Sequence, residues 1–186
     1  MTQERADAAR NRAKILAAAA ELVADKGIEG LGMAEVAAAS GVGVGTLYRR
    51  FGDRSGLAYA LIDAKEREFQ ESFLSGPPPL GPGAPSGERV RAFLHGLVDR
   101  TFAQLDLLLM AETAAPFARF GGAYEAYHRH LSLLIADVNP ATDAPFAADA
   151  LLAPLAANLV IHRARRPADL KSGLDEVLRG VLASPA

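Results

Sequence analysis

A chain of 186 residues, half of them hydrophobic, suits one domain or a small domain joined to a medium one, with enough apolar side chains for a sizeable core. It has no cysteine, which excludes disulfides and thiolate metal sites. A net charge of −2 excludes a global positive field. Residues 1–54 hold 8 Lys and Arg against 7 Asp and Glu, so contact with nucleic acid would have to come from a local patch.

Alanine and leucine are abundant and no stretch alternates with period two, so the expected fold class is all-α. No run approaches the roughly 18 apolar residues that span a bilayer. The opening MTQERADAARNR is polar and lacks the apolar core of a signal peptide. The expectation is a cytoplasmic chain without a membrane partner.

The first predicted helix runs from about Asp7 to Lys26, with Ile15, Leu16, Ala19, Leu22 and Val23 on one apolar face and Gly27 as its stop. Arg10, Arg12 and Lys14 crowd its opening turns, where the helix dipole disfavours cations, so they read as solvated surface or as phosphate contacts. Ile28 and Leu31 anchor the connection. A short helix begins near Met33 with Gly32 as a modest N-cap and Glu35 in its first turn. Ser40-Gly41-Val42-Gly43 then makes a corner, Gly41 taking the left-handed conformation that costs glycine little.

In the next helix, Val44 to Phe51, Leu47 and Phe51 stand at i and i+4 and face inward. Thr46, Tyr48, Arg49 and Arg50 point elsewhere. Two short helices about a glycine corner, the second with an inward apolar stripe and outward hydroxyl, phenol and guanidinium groups, read as a helix-turn-helix. Thr46 suits a phosphate or a thymine methyl, Tyr48 a phosphate, and Val44 a thymine methyl. Arg49 and Arg50 suit phosphate neutralisation or bidentate contact with guanine, and the sequence does not choose between them. Gly45, costly inside a helix, reads either as close approach to a phosphate chain or as a tight helix crossing. Asp53 is a good N-cap for the following helix, and Arg54 adds a basic group at its start.

The run Gly41-Val42-Gly43-Val44-Gly45-Thr46-Leu47-Tyr48-Arg49-Arg50-Phe51, continued by Asp53-Arg54-Ser55-Gly56-Leu57, resembles the TetR family of bacterial repressors. The resemblance covers about residues 8–60. A serine is usual where Gly43 stands, a threonine where Gly32 stands and a lysine where Val44 stands, so two side-chain caps and one phosphate contact are absent. The resemblance implies a three-helix DNA-binding domain over residues 1–53 and a helical effector-binding and dimerisation domain over 54–186. It implies DNA contact through Val44, Gly45, Thr46, Tyr48, Arg49, Arg50 and Arg54.

Beyond Arg54 the helical pattern continues through Leu57, Leu61, Ile62, Phe69 and Phe73 to Ser75, a mechanical link between the two domains. Residues 76–87, GPPPLGPGAPSG, contain five prolines and read as an irregular, mobile linker. One long helix is predicted from Glu88 to about Thr113, followed by breaks at Pro116 and at Gly121-Gly122. Tyr124, Tyr127, His128, Leu131, Leu134 and Ile135 mark another helix, ended by Asn139-Pro140. Pro145 opens a helix carrying Leu151, Leu152, Leu155, Leu159 and Val160. Arg163, Arg165 and Arg166 suit its C-terminus, and after Pro167 the last helix carries Leu170, Leu174, Val177, Leu178 and Leu182.

By the resemblance, the last two helices would pair two copies of the chain and place two recognition helices on a pseudo-palindromic operator in double-stranded DNA. Burial within one chain is the alternative for those stripes. Also by resemblance, an apolar cavity for an unknown small-molecule effector lies in the C-terminal domain, with Phe102, Met110, Phe117, Phe120, Tyr124, Tyr127 and His128 as candidate lining. His128 and His130 stand at i and i+2 on different sides of a helix, and no metal site or cofactor is expected. No nucleophile and base, phosphate loop or metal cluster supports an enzyme. The expected function is a DNA-binding transcription regulator, a repressor released by its effector. A helical ligand-binding or interaction module with weakened DNA binding is the alternative.

Overall fold

The computed structural model describes residues 2–113, 117–120 and 122–183, with side chains from Asp7 onward. Among them every regular element is helical: α1 Thr2–Lys26, α2 Met33–Ser40, α3 Val44–Phe51, α4 Arg54–Ser75, α5 Ser86–Ala103, α6 Leu105–Glu112, α7 Gly122–Val138, α8 Ala144–Leu152, α9 Ala157–His162 and α10 Pro167–Leu182. Short 3-10 turns lie at Gly27–Gly30, Ala118–Phe120 and Ala153–Leu155. No helix among the described residues is long and apolar enough to cross a membrane. Pro116 and Gly121, expected as breaks, lie outside the described residues.

The chain divides into two compact units, residues 1–65 and 66–186. The division falls twelve residues beyond the expected 53/54 boundary, inside α4. Its first turns explain the shift: Leu57, Ala58 and Leu61 are buried, and Asp63 stands 3.8 Å from Arg12 of α1. In this unit Ile15, Leu16 and Ala19 of α1 are buried together with Leu31, Met33, Val36 and Leu47. Gly41 ends α2 at φ +67, the left-handed corner expected there.

In the second unit α5, α7, α8 and α10 enclose a core that includes Phe93, Leu94, Leu131, Ile135, Leu151 and Leu170. Two expectations change here. The helix expected over 88–113 is two helices, because Gln104 leaves helical geometry (φ −133, ψ 25) between α5 and α6. The helix expected from Pro145 to Val160 is α8, a 3-10 turn and α9. Pro154 causes that break, since its ring meets the preceding turn and it has no N–H to donate. The stripes of the last helices are largely spent inside one chain: Leu151, Leu152, Leu155, Val160, Leu170, Leu174 and Leu178 are all buried.

Residues 76–85 are irregular as expected, whereas Ser86 and Gly87 already belong to α5. Leu80 packs against the second core, and the Gly81 N–H donates to the Pro77 carbonyl at 3.0 Å. Asn139, ending α7, donates to the carbonyls of Val181 and Ala183 at 3.2 and 2.9 Å and so fastens the end of α10.

A polar cluster lies inside this apolar unit. Glu66 is buried, accepts from Arg100 Nη2 at 2.8 Å and from Gln70 Nε2 at 2.8 Å, and takes the Tyr127 hydroxyl on the same oxygen as Arg100. Burial pushes the Tyr127 phenol well above its usual range, so it stays a donor. Next to it Phe69, Phe73, Phe93 and Tyr127 meet edge-on or tilted, with His130 tilted 4.5 Å from Phe73.

Burial beside those rings, with the Arg89 charge nearby, lowers the His130 pKa from 6.5 to about 4. Between those values the unfolded chain binds a proton that the folded chain refuses. Stability is therefore expected to be complete above about pH 6.5 and to fall as the pH drops toward 4. Urea titrations at pH 7.0, 5.5 and 4.5 check this: His130→Phe should flatten the dependence, and an unchanged slope in that variant would refute the assignment.

Candidate nucleic-acid interface and ligand cleft

The interface is built on α3. At ~100° per residue, Arg49 lies about 160° around the helix from Leu47, whereas Arg50 lies only about 60° from it. Leu47 is fully buried, so Arg49 and Gly45 point away from the core and Arg50 flanks it. The contacts follow this wheel. Arg50 Nη1 donates to the Ala8 carbonyl of α1, bracing α3 against that helix. Arg49 is exposed and makes no hydrogen bond or ion pair among the described residues.

Arg54 is also taken up within the unit. Its Nη2 donates to the Ile28 carbonyl and lies 3.8 Å from Glu29. The two arginines left equivalent by sequence thus differ in structure, and two of the three arginines expected to contact DNA, Arg50 and Arg54, hold the domain together. Val44 and Tyr48 are exposed at 44% and 54%, Thr46 is half-buried, and a side chain added at Gly45 would meet nothing within 4 Å. The tight helix crossing considered for Gly45 is therefore absent; the glycine faces open space.

Asp53 caps α4 as expected, its Oδ1 accepting from the Gly56 N–H at 2.9 Å. Gly32 and Gly43 precede α2 and α3 without side-chain caps. Of the basic groups at the start of α1, Arg10 pairs with Asp7 and Arg12 with Asp63, while Lys14 is exposed.

In the second unit a cleft of about 600 Å³ is lined by Glu112, Phe117, Arg119, Phe120, Tyr124, Asp149, Ala153, Ala156 and Asn158. Phe117, Phe120 and Tyr124 were expected in a pocket and do line this one. The other four candidates do not: Tyr127 is in the core, Phe102 packs against it, Met110 is half-buried on α6, and His128 Nε2 lies 3.1 Å from the Pro145 carbonyl. The cleft is also less apolar than expected. Arg119 Nη1 donates to Glu112 at 2.9 Å and Nη2 to the Leu152 carbonyl at 2.7 Å, and the Tyr124 hydroxyl donates to Asp149 at 2.7 Å. Burial and the Asp149 bond push the Tyr124 phenol up to about 12. Sequence periodicity had no way to show these polar partners, since each joins residues from different helices.

No group of three or more His, Asp or Glu able to hold a metal ion occurs among the described residues.

Residues 15–61 match the family described as bacterial regulatory proteins, tetR family. An HTH-type transcriptional regulator of Staphylococcus aureus (strain USA300) is 43% identical over 58 residues, which cover 31% of this chain and 31% of that one. The match thus spans about a third of the relative's length. Among solved structures, a TetR-family transcriptional regulator from Pectobacterium atrosepticum superposes with a TM-score of 0.73 at 21% identity, covering 98% of this chain and 99% of that one. The transcriptional regulator FadR of Bacillus subtilis, solved in complex with stearoyl-CoA, gives 0.64 at 16% identity over 91% and 97%. These structural likenesses extend the shared fold beyond the matched N-terminal residues.

Proposed function

We propose that this chain, whose N-terminal domain belongs to the TetR family of bacterial regulatory proteins, is a sequence-specific DNA-binding transcription regulator. The observation that carries the proposal is α3 itself. It buries Leu47 and turns an unpartnered Arg49 outward beside the open backbone of Gly45. In this reading Arg49 reads guanine in the major groove, Thr46, Tyr48 and Val44 meet phosphates and thymine methyls, and Gly45 admits the phosphate chain. Arg50 and Arg54 act one step back by holding α3 and the turn before α2 in place.

The chain works as a homodimer on a pseudo-palindromic operator and is a repressor that a small molecule releases. Val177, Ile161 and Phe146 remain exposed after the core is closed, and they supply apolar surface for a second copy. α4 is one uninterrupted helix with residues in both compact units, which suits it to carry an effector's influence to α3. FadR's stearoyl-CoA supports the general idea of effector control without fixing the effector here.

The test is selection of genomic fragments on the purified full-length protein, followed by sequencing. A shared inverted repeat, with centres of its halves about 10 base pairs or a multiple apart, is the expected result. Fragments without a common element would contradict the proposal.

A further inference from the structure

We propose that the cleft lined by Phe117, Phe120, Tyr124 and Asp149 takes a cationic aromatic small molecule, a flat ring system bearing an amine or amidine. The inference rests on the effector-controlled reading above and adds the chemistry of the effector.

The charges in the cleft decide the sign. Arg119 and Glu112 neutralise each other's charge. Glu112 Oε1 accepts from Arg119, and its Oε2 accepts from the Ala157 N–H at 2.9 Å, which starts α9. Arg119 Nη2 donates to the Leu152 carbonyl, and the guanidinium lies 5.7 Å from the centroid of the Tyr124 ring. The pair is mostly buried and serves the fold, joining α6, the 3-10 turn, α8 and α9.

Asp149 is different. Its side chain is 58% exposed, and Tyr124 and His128 both approach the same oxygen, Oδ1, at 2.7 and 3.5 Å. Oδ2 has no partner among the described residues. His128 adds little, because its Nε2 is 3.1 Å from the Pro145 carbonyl. A donor with positive charge therefore finds a free carboxylate oxygen, whereas the cation among the lining residues, Arg119, is already paired with Glu112.

The rings decide the body of the ligand. Phe117 is 81% exposed and Phe120 50% exposed, a large apolar area for two phenylalanines beside one cleft. Phe117 also sits at φ +63, a backbone conformation that bulky side chains rarely adopt. Phe120 meets Tyr124 edge-to-face at 5.0 Å, so the aromatic surface is continuous with the hydroxyl that orients Asp149. A flat ring laid on these side chains covers apolar surface, and its cation gains from both the carboxylate and the aromatic faces. About 600 Å³ accommodates such a molecule.

Calorimetric titration of the full-length protein at pH 8 with three naphthalene probes tests this: the aminomethyl cation, the neutral hydroxymethyl analogue and the carboxylate. The cation is expected to bind about 10-fold more tightly than the alcohol, with the carboxylate weakest. Asp149→Asn should bring cation and alcohol within about 2-fold, and Phe117→Ala should weaken both about 3- to 10-fold while keeping their order. Tyr124→Phe keeps the carboxylate and should keep the preference. Carboxylate binding as tight as the cation, a preference that survives Asp149→Asn, or no binding of any probe would each overturn the proposal. Operator binding measured on the same samples separates the two readings: DNA binding without probe binding refutes the cleft alone, and Asp149-dependent cation binding supports it at any DNA affinity.

Discussion

Arg49→Ala is expected to weaken operator binding by roughly 2–6 kcal/mol, about 30- to 2 × 10⁴-fold, with no change in thermal stability. A bidentate arginine–guanine contact contributes about 1–3 kcal/mol of discrimination, and a two-fold dimer makes it twice. The side chain is exposed and unpartnered, so its removal takes nothing from the fold. Arg50→Ala should divide its effect the other way. It removes the brace from α3 to the Ala8 carbonyl, an exposed bond that contributes about 1 kcal/mol, or about 3 °C in melting temperature. Its loss of affinity should be smaller and similar for operator and unrelated DNA. Fluorescence anisotropy paired with thermal melts of both variants makes the comparison. Equal loss of specificity in the two would show that the intramolecular brace does not set their roles.

The second large effect concerns Glu66 and Arg100. Arg100→Leu is expected to destabilise the chain by about 3–5 kcal/mol, because Glu66 then remains buried with only Gln70 and Tyr127 against its charge. Glu66→Leu should cost a similar amount by stranding Arg100, whose Nε already has no partner. The double variant Glu66→Leu/Arg100→Leu should recover most of the loss, since an apolar pair of similar size is often neutral or better in such a place. Urea unfolding of the wild type, both single variants and the double variant closes the cycle. Single variants that each lose less than about 1 kcal/mol, or a double variant as weak as their sum, would show that the pair is not the buried unit described here.

What the sequence made legible is mostly local. The left-handed corner at Gly41, the inward Leu47, the capping Asp53 and the missing caps at Gly32 and Gly43 depend on residues a few positions apart, and all four stand in the structure as expected. The different placement of Arg49 and Arg50 was also within reach, because the helical wheel alone sets Arg50 beside the Leu47 face. What hid the difference was the identity of the partner, a backbone carbonyl 42 residues earlier.

Pro154 was a readable break that the leucine periodicity around it masked, since Leu151, Leu155 and Val160 keep a helical rhythm across the gap. The break at Gln104 carries no such residue signal. The cleft was half legible: Phe117, Phe120 and Tyr124 announce themselves as aromatics, whereas Glu112, Arg119 and Asp149 matter through partners on other helices. Glu66 and Arg100 are the extreme case. Each reads as a surface charge on an amphipathic helix, and only packing α4, α5 and α7 together makes them a buried pair.

The most direct measurement of the central claim is the affinity of the full-length protein for its selected inverted repeat and for a scrambled duplex of equal length, from about 0.05 to 0.3 M salt. A sequence-reading α3 predicts the repeat to bind at least about 10³-fold more tightly near 0.15 M, with affinity for both duplexes falling steeply as salt rises. Equal affinity for the two duplexes across that range would contradict it.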